Sequence, residues 1–134
     1  MCLQLDSRAC QLGFHKESGF KVAIKIIAKN ALQSRPAMQQ KLEREIAIMK
    51  FLDHPNVLRL YDVYDTPNYL FLVLEHVEGG ELFDYLLSKK VLPESEALRF
   101  FQELVDGVDY CHEHLVCHRD LKQESPFPVG ILPF

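Results

Sequence analysis

The sequence places one lysine where packing alone does not explain its charge. Lys25 lies in the middle of Lys-Val-Ala-Ile-Lys-Ile-Ile-Ala, residues 21–28, a β-branched run that is typical of a buried strand. Burying an ammonium group is unfavourable unless a counter-charge accompanies it. Either Lys25 extends to solvent from an edge strand, or a carboxylate on a neighbouring element pairs with it.

Glu45 is a candidate for that carboxylate. The spacing predicts a helix over residues 34–52, and Glu45 falls inside the apolar sector that includes Leu42 and Met49. Many glutamates in such positions merely border an apolar stripe. Taken together, the two residues predict an ion pair between Lys25 and Glu45, an arrangement that can hold a lysine toward phosphate oxygens.

A second group of chemically capable residues is His-Arg-Asp-Leu-Lys, residues 118–122. Asp120 can accept a hydroxyl proton, and Lys122 can neutralise phosphate charge. Alone, this pentapeptide could be an exposed charged loop. Because it follows Val-Ala-Ile-Lys and comes after a predicted amphipathic helix, it strongly favours catalytic chemistry.

Cysteines and histidines alternate near the same loop and suggest a zinc site. The sequence from 111 to 118 reads Cys-His-Glu-His-Leu-Val-Cys-His. Its spacing fits neither His-Glu-x-x-His nor paired Cys-x-x-Cys units. Cys111 also lies on the apolar stripe of a predicted helix, so core packing explains it better, and we predict no metal site.

The elements that position these residues define an α+β fold. They are predicted as a strand at 21–28, a helix at 34–52, a hairpin of strands at 57–64 and 69–74, and helices at 81–88 and 94–112. The stripe of the last helix is predicted to contain Ala97, Phe100, Phe101, Leu104, Val108 and Cys111. A sheet-plus-helix unit is therefore expected to precede a helical unit. Ligand clefts often lie at such junctions.

Composition narrows the class of protein. The chain has 134 residues and a formal net charge of -4, which suits one core and gives no reason to bind nucleic acid. It contains no secretory leader pattern and no apolar run long enough to span a bilayer. The four cysteines are expected to be reduced thiols, so the sequence predicts a cytoplasmic protein.

Lys25, Glu45 and residues 118–122, in this order, resemble the protein kinase family. The resemblance covers residues 11 to 122, and the segments 42–48, 73–86 and 117–122 resemble the brain-selective Ser/Thr kinases, the SAD kinases, of the AMP-activated-kinase-related group. It implies a protein-kinase-like fold that is incomplete, with an N-terminal lobe and the first helices of the C-terminal lobe.

That resemblance divides the chain into segments. Residues 1–10 are a divergent N-terminus, 11–77 the N-terminal lobe, 78–122 the start of the C-terminal lobe, and 123–134 a divergent tail rich in proline and phenylalanine.

The resemblance also implies ATP as a ligand and assigns these residues to it: Lys25, Glu45, Ala23, Leu74, Glu75, Val77 and Glu81. Lys25 would hold the α- and β-phosphates, with Glu45 holding Lys25. Ala23 would cover the adenine, and Leu74 would be the gatekeeper. Glu75 and Val77 would offer backbone groups to the adenine edge, and Glu81 would reach the ribose.

Catalysis is implied for two residues of the 118–122 loop. Asp120 would be the catalytic base and Lys122 would steady the γ-phosphate, whereas His118 and Arg119 would be structural. Protein substrates with basic residues near the phosphorylated side chain are implied as partners, with ATP and Mg²⁺ as cofactors.

Departures from the family pattern put this activity in doubt. Residues 6–11, where the glycine-rich phosphate loop should end, contain no glycine, and Ser125 replaces the asparagine that holds Mg²⁺. No Asp-Phe-Gly follows. We therefore expect an inactive fragment produced by splicing, a frame change or a gene-model error. The alternative is a non-catalytic binding or regulatory fragment, with chaperones as partners for its uncovered apolar surface.

Overall fold

The computed structural model describes residues 10–30, 36–78 and 82–117. They form two compact units. The first runs through Phe51 and resumes over Arg59–His76, and the second contains Leu52–Leu58 and continues from Val77.

The first unit is built on an antiparallel sheet. Its strands are β1 (Cys10–Phe14), β2 (Lys21–Ala28), β3 (Leu60–Asp65) and β4 (Tyr69–Glu75), in the order β1-β2-β4-β3. β2 and β4 are central because they carry the β-branched and aromatic runs that fit a pleated, covered surface. The predicted strand at 21–28 is confirmed.

The β3–β4 hairpin is closed by its predicted turn. The Thr66 hydroxyl donates to the carbonyl of Tyr69 at 2.8 Å, and the Thr66 N–H donates to the same oxygen at 2.9 Å. β3 begins three residues later than predicted, because Val57 forms an isolated bridge with His54 instead. That bridge makes a tight turn where a continuous strand was expected.

The helix of the first unit is α1 (Pro36–Met49). Its buried residues are Leu42 and Met49. The predicted C-terminal end at residue 52 is too late. The Phe51 N–H already bonds the carbonyl of Ile48 in a tighter turn, and Leu52–Leu58 belongs to the second unit.

The second unit contains α2 (Leu82–Lys89) and α3 (Glu94–Glu113). The hydroxyl of Tyr110 in α3 accepts the Asp53 N–H at 3.0 Å, and its ring stacks on His54 with centroids 4.7 Å apart. These contacts attach the 52–58 segment to α3. In the described parts of the chain, no helix is long and apolar enough to cross a membrane.

Two faces of α3 carry apolar side chains. Phe100, Gly107 and Cys111 are buried on one face. Ala97 and Phe101, which the predicted stripe included, are exposed instead. Phe101 lies about 100° around the helix axis from the buried Phe100, and at that angle it falls outside the covered face. That part of the prediction is wrong.

Candidate nucleotide-binding site

The pairing of β2 with β4 brings together several of the predicted site residues. Ala23 lies directly opposite Leu74, and Lys25 lies opposite Leu72. Opposite residues of an antiparallel pair project from the same face, and so do residues two apart along a strand. Ala23, Lys25, Leu72 and Leu74 therefore share one face of the sheet.

Lys25 is surrounded on this face mainly by apolar groups. Its cross-strand neighbours are Cys10 on β1 and Leu72 on β4, and Leu72 is only 4% exposed. Lys25 itself is half-buried. Over the ranges that the structure describes, no carboxylate oxygen lies within 4.0 Å of its amine.

Glu45 lies on the covered side of α1, between Leu42 and Met49, and its side chain is 13% exposed. Its Oε1 atom lies 3.3 Å from the Nζ atom of Lys41, one turn earlier. The geometry is an ion contact without a hydrogen bond, so this buried oxygen has no hydrogen-bond partner.

The predicted pairing of Lys25 with Glu45 is therefore absent from this structure. Lys41 takes the carboxylate because it is four residues away on the same helix and needs no contact between elements. The sequence contained this signal, since an i,i+4 lysine–glutamate spacing is visible in residues 41–45. This order of charges is the weaker one, because glutamate preceding lysine is favoured.

The chain leaving β4 presents further predicted contacts. The Glu75 N–H donates to the carbonyl of Arg59 at 2.9 Å, and its Oε2 atom accepts the Arg59 N–H at 3.3 Å. Both interactions direct Glu75 toward the start of β3. Within the described ranges, the backbone of Val77 forms no hydrogen bond.

An aromatic pair that the sequence did not single out, Phe20 and Tyr61, lies close enough to Glu75 for its charge to act on Tyr61. Tyr61 meets Phe20 edge-to-face, with centroids 5.7 Å apart, and the guanidinium of Arg59 lies 5.8 Å from the Tyr61 ring centroid. Burial and the nearby charge of Glu75 raise the pKa of Tyr61, partly offset by Arg59. The tyrosine therefore stays neutral across the physiological range.

Other predicted site residues lie outside the described residues. These are Glu81, Asp120 and Lys122, together with His118, Arg119 and Ser125. Their roles remain predictions.

Cys111 lies in the core of the second unit. It is 1% exposed, and burial raises the pKa of its thiol. Metals bind the thiolate, which burial disfavours. In the part of the chain that the structure describes, no three cysteine, histidine or acidic side chains are grouped in a way that could hold a metal ion.

Comparison with known proteins identifies the family. Residues 7–125 match the family described as the protein kinase domain, so the chain belongs to it. A probable serine/threonine-protein kinase of Dictyostelium discoideum is 58% identical over 115 residues, which are 86% of this chain and 14% of that protein. An SNF1-related protein kinase catalytic subunit alpha of Arabidopsis thaliana is 44% identical over 115 residues, which are 86% of this chain and 23% of that protein.

The chain therefore spans less than a quarter of the length of these relatives. The antiparallel sheet with its helices agrees with the expected kinase-like fold.

Proposed function

We propose that this chain provides the ATP-binding face of a serine/threonine protein kinase catalytic domain. The observation that carries the proposal is the β2–β4 register, which sets Ala23 beside Leu74 and Lys25 beside Leu72. Ala23 is small and leaves room for a planar base, and the buried Leu74 provides an apolar wall beside it. The ammonium group of Lys25, on the same apolar face, can bind phosphate oxygens.

The segment after β4 completes the proposed nucleotide contacts. Glu75 and Val77 offer backbone groups to the edge of the adenine, and Val77 has no competing hydrogen bond among the described residues. Glu81 reaches the ribose and a basic residue of the substrate. This last assignment rests on the match of residues 73–86 to the family pattern.

Asp120 and Lys122 carry the chemistry in the family pattern. Asp120 accepts the proton of the substrate hydroxyl as its oxygen attacks the γ-phosphorus, and Lys122 stabilises the charge on the transferred phosphoryl group. ADP leaves with the bridging oxygen. In such reactions the protein contributes mainly positioning and electrostatic stabilisation.

The nucleotide-bound form requires Glu45 to exchange partners. Its contact with Lys41 is worth only about 0.2–0.5 kcal/mol for an i,i+4 pair on a helix, so we propose that Lys25 replaces Lys41 when phosphate groups bind.

Lys41→Met should favour that exchange of partners by Glu45. The expected result is slower reductive methylation of Lys25, with Lys29, which pairs with Asp65, as an internal reference. Unchanged methylation of Lys25 relative to Lys29 would contradict the exchange.

The family's asparagine ligand for Mg²⁺ is replaced in this chain. Ser125 stands at that position, and its hydroxyl oxygen lies one bond closer to the backbone than the carbonyl oxygen of asparagine would. Residues 6–11 also lack the glycines that allow a backbone loop to approach phosphates. We therefore propose that the 134-residue polypeptide transfers no phosphate by itself.

The site proposal is tested by adenosine titration followed by amide chemical shifts. We expect weak binding, on the order of millimolar Kd, with shifts at Ala23, Leu74 and Val77. Ala23→Phe should abolish those shifts. Ala28→Phe is the matched control, because Ala28 ends the same strand and projects from the opposite face. Shifts that survive Ala23→Phe would place the nucleoside elsewhere.

The inactivity proposal has a separate test. A radiolabelled-phosphate assay with magnesium-ATP and a peptide rich in basic residues should give no signal above background. Incorporation of phosphate that Asp120→Asn abolishes would refute it, while leaving the adenosine result standing.

The finer resemblance guides the choice of substrate. We propose that the chain is related to the SAD kinases. We also propose that its substrates carry basic residues near the phosphorylated side chain and that the protein is cytoplasmic.

A second candidate function is a non-catalytic fragment that binds a partner protein or a chaperone. The exposed apolar side chains of α3 favour it. Co-purification of a chaperone that depends on Phe101 and not on Lys25 would select this reading.

A further inference from the structure

A second apolar stripe runs along α3, separate from the buried one. Leu98, Phe101 and Val105 lie three and four residues apart, which places them on one helix face. They are 55%, 63% and 46% exposed, respectively. The residues that the structure describes therefore cover one apolar face of α3 and leave the other open.

The same chain contains a segment suited to that face. Residues 126–134 read Pro-Phe-Pro-Val-Gly-Ile-Leu-Pro-Phe, with large apolar side chains and no charge. Its prolines exclude a regular helix. In an extended polyproline-like conformation of about 3.1 Å per residue, such a segment is about 28 Å long. The stripe from Leu98 to Val105 needs only about 10 Å.

The end of α3 is a tight turn that changes the direction of the chain. The Val116 N–H bonds the carbonyl of Cys111 at 2.8 Å, and the Leu115 N–H bonds the carbonyl of His112 at 2.9 Å. This pair of bonds is a Schellman turn, which stops the helix and redirects the chain. Phe101 lies about 18 Å back along the helix from its last residue. The residues between Cys117 and Pro126 can span about 30 Å.

Tethering makes the contact favourable without a large interface. A tether of this length raises the effective concentration of the segment to about the millimolar range, far above that of a second molecule in dilute solution. Because the side chains of residues 126–134 are uncharged, docking them desolvates no charged side chain. The connecting residues 118–125 carry the charges and can remain in water.

We propose that residues 126–134 dock on the Leu98–Phe101–Val105 stripe of α3 within the same molecule. The segment then supplies the cover that the described residues do not. This interaction is independent of nucleotide binding and of the assignments to Lys25 and Asp120.

Photo-crosslinking in the full chain tests the proposal. p-Benzoylphenylalanine replaces Phe101, and after irradiation the monomer is digested with trypsin. Because trypsin cuts after Arg99, Arg119 and Lys122, position 101 and residues 123–134 fall in separate peptides. We expect a crosslink between these two peptides. Phe51, which is 82% exposed in the first unit, provides the matched control position and should give none.

Three results from the crosslinking at positions 101 and 51 would overturn the proposal. They are a crosslink found only in covalent dimers, a monomer without the crosslink between these peptides, and equal crosslinking from position 51. Dimer-only crosslinks would show that a second copy covers the stripe. The double substitution Ile131→Ser, Leu132→Ser should reduce the crosslink at least tenfold while far-ultraviolet circular dichroism is unchanged. Undiminished crosslinking in that variant would also refute specific docking.

Discussion

The central strands of the sheet and the last helix differ in how completely their apolar side chains are buried. In β4, Leu72 and Leu74 are both buried and pair with β2 at fixed register positions. In α3, the neighbouring residues Phe100 and Phe101 are 6% and 63% exposed. Residue type is identical in the second case, so only the position around the helix decides which side chain is covered.

This difference determines how each proposal is supported. Strand pairing brings Ala23, Lys25, Leu72 and Leu74 to one face through hydrogen bonds within the first unit. A helix satisfies its backbone internally and therefore specifies no neighbour for its second face. The proposed nucleotide site thus depends on local pairing, whereas the exposed stripe of α3 needs an additional partner.

The largest expected effect comes from removing a side chain from the sheet. Leu72→Ala should lower the free energy of unfolding by about 2–5 kcal/mol, because Leu72 is only 4% exposed and its removal leaves a cavity against the face of the sheet. Leu98→Ala, at a 55% exposed position on α3 that the proposed docking of residues 126–134 would cover, should lower it by about 1 kcal/mol or less. Urea denaturation followed by circular dichroism measures both.

A loss of unfolding free energy in Leu98→Ala as large as that in Leu72→Ala would contradict the distinction between the sheet and α3. It would mean that the exposed stripe is already covered as fully as the sheet, and it would strengthen the docking of residues 126–134. Equal small effects at both positions would show that the sheet is loosely packed.

The next effect tests how closely the edge strand β1 approaches β2. A Cβ atom added at Gly13 would lie 2.6 Å from the Cδ1 atom of Ile24 and 3.2 Å from the Cγ2 atom of Val22. Gly13→Ala should destabilise the protein by about 1–2 kcal/mol through overpacking. Gln11→Ala, on the same exposed strand, is the control and should be nearly neutral. A stabilised Gly13→Ala variant would show that Ile24 moves aside freely.

The sequence predicted the elements with strong periodicity. β2 agrees with its predicted bounds, and α3 ends one residue beyond its prediction. β1 was missed because its five residues, Cys-Gln-Leu-Gly-Phe, are mostly exposed and combine weak strand formers with a glycine. Such an edge strand forms through pairing with β2, which no local pattern records.

The candidate site was predictable to the extent that it depends on strand pattern. The β-branched run around Lys25 predicted the strand, and the register then placed Ala23 beside Leu74. The partner of Glu45 was not predicted, because the apolar sector around Glu45 is compatible with either lysine. The competition between a nearby helical partner and a distant strand partner is settled by geometry between elements.

A smaller effect concerns the turn that ends α3. Leu115 has φ of 60° and is 93% exposed, so a branched side chain occupies a left-handed position without compensating burial. This conformation costs roughly 1–2 kcal/mol for a residue with a Cβ atom, partly offset by the entropy that glycine loses. Leu115→Gly should therefore stabilise the protein by about 0.5–1 kcal/mol, as measured by urea denaturation.

Two companion variants sharpen the interpretation. Leu115→Asn should also stabilise, since asparagine tolerates the left-handed region. Leu115→Ala keeps the strain and should give no gain. If all three were equally neutral, the turn would not be under strain in solution.

The smallest expected effect is a dependence of stability on pH at the buried face of α3. Burial raises the pKa of the Cys111 thiol above its ordinary value of 9.0, so the folded protein binds this proton more tightly than the unfolded chain. The resulting stabilisation is fully present below the unfolded pKa and is lost as pH rises through the folded pKa. Cys111→Ala removes the titrating group. The free energy of unfolding of the unchanged chain should therefore fall more steeply than that of the variant above about pH 9, whereas the two should run parallel near pH 7.

Iodoacetamide labelling gives the matching kinetic comparison. Cys10 and Cys117 are exposed and should react readily, whereas Cys111 should react only after unfolding. Parallel pH profiles at alkaline pH, or rapid labelling of Cys111 in the folded chain, would show that this face of α3 is as open as the stripe around Phe101 and would remove the distinction between its two faces.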